Sequence, residues 1–95
     1  LLAELERQAR TEALTGLLNR RAFLEELQRR LERQRRGGNG GVLIFLDVDN
    51  LKPVNDRLGH EAGDALLIAV ARLLRKSTRA TDLVARLGGD EFAVW

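Results

Sequence analysis

An α/β fold is predicted by three features of the 95-residue sequence. Two segments with helical apolar spacing, at about residues 20–36 and 61–77, flank a continuous apolar run, Val42-Leu43-Ile44-Phe45-Leu46. Two further short apolar runs, Leu83 to Leu87 and Phe92 to Trp95, are separated by Gly88-Gly89, which supplies the positive φ of a tight hairpin turn. A composition of 44% hydrophobic and 32% charged residues reads as one small globular domain rather than a disordered chain.

Each element has its own warrant. Leu2, Leu5 and Ala9 keep a 3-4 spacing, which fits either the tail of an upstream signalling helix (residues 1–10) or a free N-terminal helix. Thr15, Gly16 and Asn19 break that pattern. Asn19 then suits the N-cap of a helix from about Arg20 to Arg36, with Phe23, Leu24, Leu27 and Leu31 as its apolar stripe. Gly37-Gly38-Asn39-Gly40-Gly41 ends it. The apolar run 42–46 does not alternate, which predicts a central strand covered on both faces. Asp47 and Asp49 follow at its carboxyl end, where ligands bind in α/β sheets. Lys52-Pro53-Val54-Asn55 predicts a short irregular or helical turn. A second helix, from about Glu61 to Ser77, carries Leu66, Leu67, Val70, Leu73 and Leu74 on one face.

Composition excludes several chemistries. With no Cys there is no disulfide framework, thiolate zinc site or thiol nucleophile. The single His60 argues against a His-rich metal site or a Ser-His-Asp triad, and it is read as packing a turn. No apolar run approaches the ~20 residues of a membrane span, so no membrane contact is expected within the chain. The net charge is +2, but residues 1–40 hold nine Arg and no Asp, whereas residues 41–95 hold all six Asp. The cluster Arg29, Arg30, Arg33, Arg35, Arg36 is read as a solvated helix end, where the dipole favours cations. No aromatic residues interleave with it, so a nucleic-acid partner is not expected.

Catalytic potential therefore rests on carboxylates, Lys, Arg and backbone dipoles. Asp47 and Asp49 follow the apolar strand; Asp90 and Glu91 follow the glycine turn. If the hairpin pairs beside that strand, the two groups converge, and crowded carboxylates are costly unless a hard cation neutralises them. Oxygen ligands of this kind suit Mg²⁺ or Mn²⁺ shared with phosphates. Spacing alone leaves two readings open: a metal–nucleotide site, or acids that merely cap a turn and decorate a hairpin.

Four ordered motifs add a resemblance. Arg86-Leu87-Gly88-Gly89-Asp90-Glu91-Phe92 resembles the signature of the GGDEF family, the bacterial diguanylate cyclases. Leu14 to Arg21 resembles the family's opening motif, Phe45 to Asp56 its strand-and-phosphate motif, and Gly59 to Asp64 its guanine-side motif. The resemblance spans about residues 11–95 and implies a palm-like nucleotidyl-cyclase sheet with flanking helices. It further implies condensation of two GTP into cyclic di-GMP and two pyrophosphates across a homodimer.

By the same resemblance, Asp47 and Asp90 ligate Mg²⁺ (or Mn²⁺) through side chains and Val48 through its carbonyl. Glu91 supports the second metal or the phosphates. Asn55 and Asp64 bind guanine, while Lys52 and the Asn50–Leu51 backbone hold phosphate. Arg79 and Asp82 resemble the inhibitory site that binds the product. Arg86 is left between a phosphate contact and an ion pair with an acid at a strand end. An upstream sensor module is an implied partner, and a cytoplasmic location is expected, with the parent protein open to membrane anchoring.

Two mild departures from the family pattern are Glu12 for the usual Asp and Leu51 for the usual Phe. The chain begins at Leu1, lacks Met and stops inside the run Phe92 to Trp95, so residues 11–95 are expected to be a partial domain, incomplete at the C-terminus. A weak or inactive cyclase that associates through an uncovered strand edge is the corresponding expectation. The alternative is a non-catalytic module that binds GTP or cyclic di-GMP.

Overall fold

The computed structural model describes residues 9–95, so the helix expected at residues 1–10 lies almost entirely outside the described residues. Three helices and three strands follow in the order α1 (Arg20–Arg35), β1 (Ile44–Asp47), α2 (Leu51–Leu58), α3 (His60–Ser77), β2 (Val84–Gly88) and β3 (Glu91–Val94). The strands form one antiparallel sheet in the order β1-β3-β2. The hairpin predicted around Gly88-Gly89 forms, with a register irregularity between Arg86 and Gly88 that adds a residue on the β2 side.

The two faces of the sheet bury different residues because side chains alternate along a strand. Phe23 and Leu27 of α1 pack on one face against Leu83, Ala85 and Ala93. Leu67 and Ala71 of α3 pack on the other against Val84, Phe92 and Val94, with Leu17 completing that cluster. Phe23, Phe92 and Leu17 are the largest fully buried side chains. Truncating either Phe to Ala would cost about 3–5 kcal/mol.

Asn19 caps α1 as expected, accepting a hydrogen bond from the Ala22 N–H at 2.8 Å. The predicted stripes are only half used. Leu24, Leu31 and Leu73 point to solvent, 51%, 41% and 63% exposed. Those three side chains join neither core cluster. The segment 52–55 lies inside α2, whose first turn tolerates Pro53 because an N–H there has no intrahelical partner. His60 is exposed at the start of α3 and does not pack a turn, which corrects the structural role expected for it.

The expected central strand is also corrected. β1 is an edge strand, paired with β3 on one side only, and its burial pattern is mostly exposed. Val42, Ile44 and Phe45 are 70%, 48% and 67% exposed. The run lacks alternation, but among the described residues only one strand lies beside it, and only Leu46 is packed against a core cluster. The opposite edge of the sheet is occupied. Leu18 donates its N–H to the Val84 carbonyl at 3.1 Å and accepts from the Arg86 N–H at 3.1 Å, so the segment before α1 lies along β2.

That segment is held by Glu12. Its carboxylate accepts from the Leu14 N–H (2.7 Å), the Thr15 N–H (3.1 Å) and the Thr15 hydroxyl (2.8 Å). It also pairs with Arg86 Nη1 at 3.0 Å, and both side chains are largely shielded, at 17% and 16% exposed. Burial alone would push the Glu12 pKa up, but the donors from Leu14, Thr15 and Arg86 outweigh it and hold the group below the usual glutamate range. A depressed folded-state pKa contributes stability above the ordinary glutamate value, and that stability is lost as pH falls through the folded value. Glu12→Gln is therefore expected to cost about 1–3 kcal/mol at pH 7. Its urea midpoint should also fall less steeply than the wild type's between neutral and strongly acidic pH. Parallel pH profiles would contradict this role for the carboxylate.

Candidate active site at the signature turn

β3 places the acidic residues. Asp47, the last residue of β1, lies opposite Glu91, the first residue of β3. Just beyond them the Val48 N–H donates to the Asp90 carbonyl at 2.9 Å. The convergence expected of the two acidic groups thus takes the form of one cross-strand carboxylate pair with Asp90 beside it. Like charges directly opposite on a sheet repel. Among the described residues no group of three His, Asp or Glu side chains comes together as a ready metal-binding cluster. The available donors are carboxylate oxygens and the Val48 carbonyl, which accepts no backbone hydrogen bond among the described residues. Such hard oxygen donors fit Mg²⁺ or Mn²⁺, a cation that completes its shell with water and phosphate.

The turn after β1 needs Asn50 in the left-handed region, at φ 67° and ψ 15°, a conformation Asn tolerates better than most residues. Leu51 and Lys52 follow as the first residues of α2. Lys52 is 87% exposed and lies 3.6 Å from Asp56, a contact of little energetic weight that leaves its ammonium accessible.

Asn55 packs against α3 at a glycine. A Cβ at buried Gly63 would fall 1.7 Å from Asn55 Oδ1, so α2 and α3 approach closely only because position 63 has no side chain. Asn55 Oδ1 is buried without a hydrogen-bond partner among the described residues. Asp64, the next residue along α3, is exposed.

Arg86 makes an ion pair, with Glu12 of the segment before α1 and not with an acid at a strand end. Besides Glu12, its Nε and Nη2 donate to the Gly89 carbonyl at 3.1 and 2.8 Å, which ties the signature turn to the segment before α1. Arg79 and Asp82 lie at the opposite end of the sheet, before β2. There the Asp82 carboxylate accepts from the Arg79 N–H at 2.8 Å, and the Asp82 N–H donates to the Arg79 carbonyl at 3.0 Å. The Arg79 guanidinium makes no hydrogen bond or ion pair among the described residues. It borders a cleft of about 700 Å³ that Arg30 and Arg33 also line. Sequence reading assigned those two arginines to a solvated helix face; their spacing by three on α1 was the available signal that they share one side.

The chain belongs to the family described as diguanylate cyclase, GGDEF domain, matched over residues 9–95. It is similar to the cyclic di-GMP phosphodiesterase NbdA of Pseudomonas aeruginosa, 48% identical over 97% of this chain and 12% of that protein. It is also similar to the diguanylate cyclase TpbB of the same organism, 47% identical over 97% of this chain and 21% of that protein. The crystal structure of the coiled coil and GGDEF domain of DgcB from Caulobacter crescentus, in complex with c-di-GMP, superposes with a TM-score of 0.87 at 38% identity. The match covers 98% of this chain and 49% of that one. The chain thus spans about a fifth or less of these two curated relatives and about half of that solved structure.

Gly63→Ala is expected to displace the Asn55 carboxamide and move its side-chain amide resonances in NMR. Global stability should change by no more than about 2 kcal/mol, because the helix gain of about 1 kcal/mol on replacing Gly works against the clash. Unmoved Asn55 resonances would contradict the contact.

Proposed function

We propose that this domain is a diguanylate cyclase module that condenses two GTP into cyclic di-GMP and two pyrophosphates, by attack of a ribose 3′-OH on an α-phosphate. The observation that carries this reading is the pairing of Asp47 with Glu91, with Asp90 joined to Val48, at an intact Gly-Gly-Asp-Glu-Phe turn. Asp47 and Asp90 would hold Mg²⁺ or Mn²⁺ with the Val48 carbonyl, and Glu91 would support the second metal or the phosphates. When bound, such a cation lowers the cost of ionising the 3′-OH and stabilises charge on the departing pyrophosphate.

The remaining roles belong to the chain itself. Asn55 would bind guanine, whose adjacent N–H groups are donors, through its side-chain carboxamide. The exposed Asp64 carboxylate is an acceptor for the same base edge. Lys52 and the Asn50–Leu51 backbone would take phosphate. Each domain binds one GTP in this reading, so a homodimer is part of the mechanism through proximity. Residues 1–10 would link the domain to an upstream sensor. No helix among the described residues is long and apolar enough to cross a membrane. GTP as substrate favours a cytoplasmic location.

A second reading, a non-catalytic module that binds GTP or cyclic di-GMP, is favoured by one observation: the cleft where the free Arg79 guanidinium meets Arg30 and Arg33. Under the cyclase reading the same place is the product-inhibition site of Arg79 and Asp82. The test is incubation with GTP and Mg²⁺ and product analysis by anion-exchange chromatography. Wild type is expected to form cyclic di-GMP, and Asp90→Ala to form roughly a hundredth or less. Arg79→Ala should keep initial turnover and lose product binding. Product binding without any turnover by the wild type would favour the second reading.

A further inference from the structure

A small cleft of about 250 Å³ opens on the α1 side of the sheet and is lined by Arg20, Phe45, Leu46, Asp47, Leu87, Glu91 and Phe92. Strand alternation places its two carboxylates on that side. Ala93 faces α1, so Glu91, two residues away on β3, faces the same side. Leu46 faces α3, so Asp47 and Phe45 face α1. Arg20 is the first residue of α1, fixed by the Asn19 cap immediately before it. It is the only cation lining this cleft, and it makes no hydrogen bond or ion pair among the described residues. A guanidinium therefore faces two carboxylates across a gap that it does not close.

We propose that Arg20 is a phosphate-contacting residue of this site. Its guanidinium takes phosphate oxygens of the nucleotide on the α1 side of the sheet, opposite Asp47 and Glu91. The inference rests on the nucleotide reading of the site and adds a residue to which no role has been given. The cleft is smaller than the ~300–1,000 Å³ of a typical small-molecule pocket, so it accommodates part of a nucleotide and not the whole. A phosphate is the part that a planar, bidentate donor matches. Phosphate oxygens would also complete the shell of a cation held at Asp47, so one group would satisfy both walls of the cleft. A simple counter-ion role would instead bring Arg20 into contact with Asp47 or Glu91, and no such contact exists.

The test compares wild type, Arg20→Ala and Arg20→Lys by titration calorimetry with GTP in Mg²⁺, with guanosine, and with Mn²⁺ alone. Arg20 is exposed and unpaired, so both variants should fold, which circular dichroism checks. Arg20→Ala is expected to weaken GTP by about tenfold or more, with Arg20→Lys intermediate. Guanosine and Mn²⁺ affinities should stay within about twofold, as for a contact confined to phosphate. Unchanged GTP affinity in Arg20→Ala, an equal loss for guanosine, or a loss confined to Mn²⁺ would overturn the inference while leaving the nucleotide site standing. Absence of GTP binding by the wild type would overturn the nucleotide reading itself, and the inference with it.

Discussion

The Arg86 guanidinium holds two turns at once. One side donates to the Gly89 carbonyl within the signature turn; the other pairs with Glu12, whose carboxylate fixes the backbone of Leu14 and Thr15. That grip places the segment before α1 along β2, closes one edge of the sheet and delivers Asn19 to cap α1. The position of Arg20 follows from the same cap. A glutamate suits position 12 because its carboxylate, one methylene further out than that of Asp, accepts three local hydrogen bonds and still reaches Arg86.

From that frame the molecule divides by ends. The signature turn, the carboxyl end of β1 and the start of α2 gather the acids and the lysine at one end of the sheet. Arg79, Asp82, Arg30 and Arg33 gather at the other. The hairpin joins them, with Leu83 and Trp95 exchanging backbone hydrogen bonds at 2.9 Å where the second group begins. A ligand at either end meets strands shared with the other, so both proposed sites rest on one packed unit. Among the described residues no strand pairs with the outer edge of β1.

Much of this was legible in the sequence because it depended on local chemistry. The Asn19 cap, the Gly-Gly hairpin and both long helices follow from residue types at fixed offsets, whereas the facing of Asp47 and Glu91 was conditional on the hairpin pairing beside β1, which it does. What was not legible depended on what lies alongside. A non-alternating run such as Val42 to Leu46 says that a strand has two apolar faces, not that two neighbours exist to cover them. Leu24, Leu31 and Leu73 keep helical spacing whether or not anything packs on them. The Asn55–Gly63 contact and the pairing of Glu12 with Arg86, 74 positions along the chain, are tertiary, and no periodicity reports them. Arg20 falls in the opening motif and starts a helix, and neither fact gives its side chain a role.

The claim on which the rest depends is that Glu12 and Arg86 act as one coupled unit. A double-mutant cycle of Glu12→Ala and Arg86→Ala in urea denaturation measures this directly. The structure predicts a coupling energy of about 1–3 kcal/mol. Additivity of the two single losses to within about 0.3–0.5 kcal/mol would contradict it, and with it the account of how the signature turn is held.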